Sequence, residues 1–135
     1  MEWEFKEPKM GDMIRTKIKF YHHYGIFIDE QTVVAFGMPD NSGVDPETIE
    51  VLTTDVVTFM HGSALETAVL DRKERHDRRS PKETVDYALS QLGRKGYHIL
   101  YNNCEHFANE CMFGKSKSSF VDSVRDEIRK KMGKG

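Results

Sequence analysis

The sequence predicts a single α+β domain, with an antiparallel sheet formed early in the chain and helices packed against it. Short stretches before residue 71 are rich in Ile, Val and Phe and are bounded by turn residues, which is typical of strands. After residue 79, apolar residues recur at helical spacing behind capping residues. The length of 135 residues suits one domain and is enough to bury a sizeable core.

The strand predictions begin with Met13–Lys19, which follows a Gly-Asp pair and alternates apolar with polar side chains near its end. Tyr24–Asp29 and Thr32–Gly37 are joined by two residues and together predict a hairpin. The remaining strand candidates, of which the last is the least regular, are Thr48–Leu52, Leu65–Leu70 and Thr54–His61.

Two segments are predicted as loops. Met38–Pro46 is a loop by composition. Asp71–Lys82 contains six Lys or Arg and is predicted as a solvated charged loop, with a partner-binding patch as the alternative.

A helix is predicted after Ser80, whose hydroxyl can cap the amide of Glu83, while Pro81 suits the first helical position. The predicted apolar face of this helix, which ends at Gly93 or Gly96, consists of Val85, Ala88, Leu89 and Leu92. That face predicts core packing and no functional site.

The most informative helix is predicted over Cys104–Phe113, between Asn103 as N-cap and Gly114 as a stop. Helical spacing places Cys104 in the first turn and on the inward face. The free N–H groups and the dipole of a helix N-terminus favour an anion, so a thiolate forms more easily there. Cys104 is therefore a candidate nucleophile, and the alternative is an ordinary buried thiol.

Two other residues of this segment with reactive side chains, Cys111 and His106, are predicted to have structural roles. Cys111 lies on the same helical face but away from the N-terminal amides, which predicts core packing. No disulfide joins the two cysteines in this prediction, because residues seven apart on a helix lie about 10 Å apart along its axis. His106 points to a different face and is expected to fix the helix or a loop by hydrogen bonding.

A thiolate nucleophile needs a base within hydrogen-bond reach. His22 and His23 immediately precede the predicted strand Tyr24–Asp29. A histidine that enters a central strand can be held rigidly and aimed across the sheet at a packed helix. These two residues are therefore the candidates for the base.

Three segments together carry a resemblance to a known family. Asn103-Cys104-Glu105-His106-Phe107 matches an NCEHF box in full, and His23-Tyr24-Gly25-Ile26-Phe27-Ile28 is similar to a histidine box. Met10-Gly11-Asp12-Met13-Ile14 is similar to an opening Pro-Gly-Asp-hydrophobic strand. Over Pro8–Gly114 the chain resembles the LRAT-domain family. The resemblance implies a circularly permuted papain-like fold of the NlpC type, in which the histidine strand precedes the cysteine helix.

The resemblance also implies thiol-dependent acyl chemistry on an ester-linked acyl group, with a phospholipid as the expected substrate. It implies that Cys104 attacks the ester and that the thioester then passes its acyl group to an amine, an alcohol or water. His23 is implied as the general base and then as the general acid. N–H groups at the start of the cysteine helix are implied as the donors that stabilise the oxyanion.

One position departs from the family pattern. The second strand of the family carries a third polar residue, usually His, where this chain has Ala35 in Val33-Val34-Ala35-Phe36. Ala35 cannot orient His23 or stabilise its charge. The candidates for a substitute are His22, Gln31 and His61. Two alternatives to the acyltransferase or hydrolase stay open: a cysteine amidase or peptidase on the same dyad, and a non-catalytic binding or regulatory domain.

Composition argues against several other classes of protein. The formal net charge is −2, which does not suit a basic nucleic-acid binder. No cofactor is predicted, since there is no Gly-rich phosphate loop. No metal site is predicted, because the spacing of Cys104 and His106 is not that of a zinc site and no second pair completes four ligands. Two cysteines without a secretory signal predict a cytoplasmic protein with free thiols.

The charge divides the chain into two predicted parts. Residues 1–114 carry a net −6 and are predicted as the LRAT-like catalytic domain, whereas residues 115–135 carry a net +4. The latter predict a basic amphipathic helix or tail, because the apolar residues of Ser119–Met132 fall on one helical stripe. The tail is expected to pack on the domain, with peripheral contact to an anionic membrane as the alternative.

Overall fold

The computed structural model describes residues 1–19, 21–37, 47–97, 103–114 and 127–131. Six strands form one antiparallel sheet: β1 (Glu2–Glu4), β2 (Met13–Ile18), β3 (Tyr21–Asp29), β4 (Thr32–Gly37), β5 (Glu50–Thr54) and β6 (Leu65–Val69). Their order across the sheet is β1-β6-β2-β3-β4-β5, so β2 and β3 are the two central strands. Helices lie between and after the strands: α1 (Val56–Met60), α2 (Arg72–Asp77), α3 (Pro81–Ser90) and α4 (Cys104–Phe113). The predicted α+β class is confirmed, and the circular permutation stays a prediction.

Most of the predicted strands are confirmed, with shifted ends. The strand that carries His22 and His23 begins at Tyr21, so both histidines lie within β3 and not before it. The strand predicted over Thr48–Leu52 begins at Glu50 and extends to Thr54. β1 was not predicted from the sequence, and it pairs with β6 at the edge of the sheet. The predicted loop Met38–Pro46 lies outside the described residues.

Two predictions about the charged and irregular segments are wrong. Val56–Met60, inside the stretch given as a strand candidate, is a helix, because the Asp55 side chain caps the Thr58 amide. Arg72–Asp77, inside the predicted loop Asp71–Lys82, is also a helix. Its capping box joins Asp71 and Glu74, which bond to each other's backbone N–H groups.

The two predicted helices are confirmed, although the first is shorter than its apolar pattern. α3 has the predicted capping box between Ser80 and Glu83, and it buries Val85 and Ala88. It ends at Ser90, so that Leu89 and Leu92 stay 39% and 46% exposed. α4 has the predicted bounds of Cys104–Phe113.

The sheet separates two apolar layers, and β3 contributes to both. Its residues alternate between the faces, as the two-residue period of a strand requires. Tyr24 and Ile26 pack in the layer that contains α4. Phe27 packs in the opposite layer with Phe59 of α1. Each layer is built from buried side chains of several elements, including Met13, Val34, Phe36 and Phe107 in the first and Ile14, Val33 and Ala35 in the second.

The predicted C-terminal tail lies largely outside the described residues. Within it, only 127–131 are described; they are helical and exposed, and Ile128 is 52% exposed. In the part of the chain that the structure covers, no helix has the length and apolar character needed to cross a membrane.

Candidate active site

Cys104 is the first residue of α4, as the sequence predicts, and its position is fixed by a capping box. The Asn103 side chain accepts a hydrogen bond from the His106 backbone N–H at 2.9 Å. In return, His106 Nδ1 accepts from the Asn103 backbone N–H at 3.2 Å. The predicted structural role of His106 is therefore confirmed, since its ring is tied to the start of the helix that carries Cys104.

The Cys104 thiol lies beside the backbone of β3. Its Sγ donates to the carbonyl oxygen of His22 at 3.8 Å. The backbone N–H of Tyr24 faces the sulfur and lowers the pKa of the thiol. These two groups belong to the peptide bonds on either side of His23, so the thiol touches the backbone of the predicted base.

Strand pairing explains why this part of β3 is accessible to the thiol. β3 and β4 are paired as far as Ile26 and Val34, and from Ala35 to Gly37 the strand β4 is paired, within the described residues, only on its other edge, with β5. From Tyr21 to Gly25, β3 is paired with β2 on its other side. The peptide groups around His23 therefore have their β4 side free for a side chain, and Cys104 fills this position.

Burial dominates the electrostatics of the thiol. Cys104 is 7% exposed. Burial raises the pKa of the thiol to about 11, against an opposing contribution from the Tyr24 N–H. The charge of Glu105 raises the pKa further, whereas the backbone N–H groups of Cys104 and Glu105 lower it. The N-terminal amides of α4 thus act on the sulfur, but the resting group is a neutral thiol.

The predicted base, His23, has its ring on the face of the sheet covered by α1. The imidazole stacks on Phe59 with 4.6 Å between ring centroids and an interplanar angle of 30°. Burial lowers the pKa of His23 to about 4, and the neighbouring His61 lowers it as well. Among the described residues, no hydrogen bond joins the His23 ring to the Cys104 thiol, so the structure brings the thiol to the backbone of His23 and not to its imidazole.

Gly25 allows the aromatic ring to lie this close to the strand. A Cβ built on Gly25 would be 2.9 Å from Phe59 Cε1 and 2.9 Å from Val33 Cγ1. Real Cβ atoms do not approach carbon that closely. The small residue of the histidine box therefore makes room for the Phe59 ring on which His23 stacks.

The adjacent histidine, His22, lies on the opposite face of β3 from His23. Its Nε2 is 3.7 Å from Glu66 Oε1, and Arg15 Nε donates to that same carboxylate oxygen at 2.8 Å. Burial lowers the pKa of His22, and Arg15 contributes to the decrease. Its ring is thus directed toward β2 and β6, while its carbonyl oxygen accepts a hydrogen bond from the Cys104 thiol.

The sequence indicates His61 only as one of three candidate substitutes for the polar residue missing at Ala35. The structure places it next to His23. The two rings are 6.5 Å apart between centroids and nearly perpendicular. A cavity of about 120 Å³ is lined by both histidines and by Ala35, the position at which the resemblance described above implies a polar residue. Gln31, another candidate substitute, lies in the β3–β4 turn and does not line this cavity.

Two further predictions concern cysteine pairing and metals. Both cysteines are free, as predicted, and Cys111 is fully buried in the layer between the sheet and α4. Over the described ranges, no three His, Cys, Asp or Glu side chains are grouped in a way that could hold a metal ion.

A larger cavity lies beside the N-terminal half of α4. Its volume is about 550 Å³, and its walls include Glu105, the residue after Cys104, and Tyr24, whose backbone N–H faces the thiol. Trp3, Met13 and Phe113 add apolar surface. The cavity has mixed polarity and Cys104 does not line it; its charged walls also include Arg15, Asp71, Lys73, Glu74 and Asp77.

Comparison with known proteins gives consistent results. The family model for lecithin retinol acyltransferase matches residues 6–117. The chain is 29% identical over 131 residues to phospholipase A and acyltransferase 3 from Homo sapiens, with 90% of this chain and 79% of that protein aligned. It is 28% identical over 152 residues to lecithin retinol acyltransferase from Mus musculus, with 94% of this chain and 65% of that protein aligned.

A third relative, phospholipase A and acyltransferase 4 from Homo sapiens, is 26% identical over 140 residues, covering 91% of this chain and 80% of that protein. The matched family segment contains β2 through α4 and both His23 and Cys104. The chain therefore belongs to the lecithin retinol acyltransferase family.

Proposed function

We propose that this protein is a cysteine acyltransferase or hydrolase, which removes an acyl group from a phospholipid ester by way of a thioester on Cys104. Membership of a family whose relatives are named acyltransferases and phospholipases supports acyl chemistry in general. The observation that carries the proposal is the contact of the Cys104 thiol, at the N-terminus of α4, with the peptide groups on both sides of His23.

The first half of the proposed reaction forms the thioester. His23 turns toward the edge of β3 and takes the proton of the thiol, while Sγ attacks the carbonyl carbon of the ester. The carbonyl oxygen becomes an oxyanion, which N–H groups at the start of α4 stabilise. The C–O bond to the leaving alcohol then breaks, and His23 returns the proton to that alcohol.

The second half transfers the acyl group. An amine, an alcohol or water attacks the thioester carbonyl and gives its proton to His23. The C–S bond breaks, and the thiolate recovers the proton from His23. The nature of the acceptor decides whether the net reaction is acyl transfer or hydrolysis.

The neutral resting state suits this sequence of steps. The pKa of Cys104 is raised to about 11 and that of His23 is lowered to about 4, so at pH 7 neither group is charged. A neutral thiol and a neutral imidazole are the required partners, because the proton moves only when the sulfur attacks.

We also propose that residues 1–114 form the catalytic unit and that the basic residues of 115–135 contact the surface of an anionic membrane.

The direct test is the mass of the protein after incubation with a short-chain phosphatidylcholine. We expect intact-protein mass spectrometry to show an increase equal to one acyl group, located on Cys104 by peptide mapping and absent from Cys104→Ala. Cys111→Ala is the matched control, since it also removes one buried cysteine and should still be acylated. His23→Gln should slow adduct formation, whereas His22→Gln, altered at the adjacent residue, should have little effect.

Three outcomes would contradict the proposal or its details. No adduct on any cysteine, together with no release of fatty acid, would favour the non-catalytic binding domain. An adduct that forms on Cys111→Ala and Cys104→Ala alike would place the acyl group elsewhere. A larger loss of rate in His22→Gln than in His23→Gln would make His22 the base.

A further inference from the structure

A second imidazole, that of His61, lies next to His23 on the face of the sheet covered by α1. The rings are 6.5 Å apart between centroids with an interplanar angle of 89°. Phe59, two residues before His61, stacks on the His23 ring with 4.6 Å between the ring centroids. One short segment of α1 therefore contributes both of the ring contacts of His23.

The backbone and side chain of His61 are held in place. His61 is the C-cap of α1, has a left-handed conformation with φ of 51°, and donates its backbone N–H to Thr58 O. Its Nδ1 is 3.2 Å from the carbonyl oxygen of Phe59. A carbonyl oxygen only accepts, so Nδ1 of His61 carries the proton and Nε2 is left as an acceptor in the neutral ring.

The space between the two histidines has the size and lining for a relayed hydrogen bond. A ring nitrogen lies about 1.1 Å from the ring centre, so nitrogens of the two rings are at least about 4 Å apart, which is too far for a direct hydrogen bond and leaves room for one bridging water molecule. The cavity that both rings line has a volume of about 120 Å³ and includes the side chains of Thr54 and Thr58. Ala35 lines the same cavity and contributes no polar atom.

We propose that His61 is the positioning residue of His23: a hydrogen bond relayed across this cavity sets the tautomer of His23 in the resting protein, before its ring turns toward the edge of β3. His23 donates one ring N–H toward Nε2 of His61. Its other ring nitrogen then has no proton and is free to accept one. This is the state that a general base requires, and its use in catalysis rests on the function proposed above.

Among the described residues that line this cavity, His61 supplies the ring-nitrogen acceptor, and the other polar side chains are the hydroxyls of Thr53, Thr54 and Thr58. The other ring contact of His23 is Phe59, and β4 presents Ala35. The residue of β2 that is paired with His23 is Thr16, whose hydroxyl donates to the carbonyl oxygens of Met60 and Ala64. Among the described residues, His61 is the neighbour that lowers the pKa of His23 in addition to burial. The role left vacant by Ala35 is thus filled from α1, on the other side of the cavity.

The test uses two substitutions that suit the left-handed backbone at position 61. His61→Gly removes the ring, whereas His61→Asn keeps an oxygen acceptor. We expect His61→Gly to lower the kcat of acyl release from short-chain phosphatidylcholine at least about tenfold with KM changed less than twofold, because an orienting group acts on the reacting histidine and not on substrate binding. His61→Asn should recover a large part of kcat. His76→Ala, at an exposed histidine, should leave both constants unchanged.

A readout that does not depend on activity is the ¹⁵N NMR spectrum of the histidine rings. In the wild type, we expect one dominant neutral tautomer of His23 at pH 7, and in His61→Gly a mixture of tautomers with a raised pKa of His23. Wild-type tautomer and kcat in His61→Gly would overturn the inference while leaving the acyl adduct of Cys104 intact. A tautomer change in a protein that forms no acyl adduct would support the positioning role and contradict the proposed function.

Discussion

The Cys104 thiol hydrogen-bonds the carbonyl oxygen of His22, while the imidazole of the next residue, His23, is stacked on Phe59. The proposed nucleophile is therefore a neutral S–H donor against the backbone of β3 in the resting protein. This arrangement protects the thiol from adventitious reaction, because the thiolate and not the thiol is the reactive species. Activation must come with the substrate, and several measurable consequences follow.

Alkylation of Cys104 should be slow at neutral pH and should increase steeply in alkaline solution. The reason is the pKa of about 11 that burial produces. The measurement is the pH dependence of the iodoacetamide reaction, monitored by mass spectrometry in the absence of substrate. Cys104→Ala gives the background from Cys111, whose pKa burial raises even further. A rate that levels off below pH 8 would show that the thiolate is stable in the resting protein.

The free energy of unfolding should be greatest between about pH 6.5 and 9. His23 has a pKa of about 4 in the folded protein and an ordinary value of 6.5. Between these values the unfolded chain binds the proton and the folded protein does not, so stability falls as pH falls, by up to about 3 kcal/mol. The depressed pKa of His22 adds to the decrease. Above pH 9 stability falls as pH rises, because Cys104 ionises more readily in the unfolded chain.

Urea denaturation at pH 5, 7, 9 and 10 checks this profile. His23→Gln should flatten the change between pH 7 and 5 without altering the alkaline side. Equal stability of the wild type at pH 5 and pH 7 would contradict the burial of a neutral His23.

Removal of the N-cap of α4 should affect chemistry more than removal of an equivalent cap elsewhere. Asn103→Ala breaks the bond to the His106 amide, and we expect it to cost about 1 kcal/mol of stability and to slow acyl-adduct formation. Ser80→Ala is the matched control, since it removes the corresponding bond to Glu83 in the capping box of α3. The comparison uses urea denaturation and the rate of acylation. Equal effects of both variants on acylation would mean that the start of α4 is not specially coupled to Cys104.

Arg79 should be a large contributor to stability although it lies in a strongly charged segment. Its Nη1 donates to the carbonyl oxygens of Glu110 and Cys111 at 2.6 and 2.9 Å, and its guanidinium lies 4.4 Å from the centroid of the Tyr87 ring. These carbonyl oxygens belong to the last turn of α4, and Arg79 hydrogen-bonds them. We therefore expect Arg79→Ala to lower the free energy of unfolding by about 2 kcal/mol.

Lys82→Ala provides the comparison for Arg79, because Lys82 makes an exposed ion pair with Asp86. Its effect on the free energy of unfolding, measured by urea denaturation, should be within about 0.5 kcal/mol. Similar midpoints for the two variants would refute the capping role of Arg79.

The helix that carries the nucleophile could be predicted in full because its signals are local. Asn103, Cys104 and His106 lie within four residues, and the cap geometry depends on these side chains and their own backbone. The hairpin of β3 and β4 was accessible for a similar reason, since two apolar runs are joined by a two-residue turn.

The segment Asp71–Lys82 was predicted wrongly because charge was taken as a sign of solvation. Asp71 and Glu74 have the spacing of a capping box, so the start of α2 could have been found. The roles of Arg78 and Arg79 could not. Arg78 donates to Gly11 O, and Arg79 to carbonyls of α4, so both depend on parts of the chain that are distant in sequence.

The surroundings of His23 required tertiary structure. The histidine box places this residue in a strand, but which layer receives its ring depends on the register of β3 against β2, where His23 is opposite Thr16. The proximity of His61 depends on the packing of α1 over that strand. No local pattern around Ala35 indicates which residue faces it across the cavity.

The order of elements along the chain also sets when the site can form. All six strands lie before residue 70, whereas Cys104 lies in the last part of the matched family segment. On the ribosome, the sheet with His23, Phe59 and His61 can be complete before the thiol is synthesised. The backbone partners of the thiol on β3 and the ring contacts of His23 are thus synthesised before the cysteine itself.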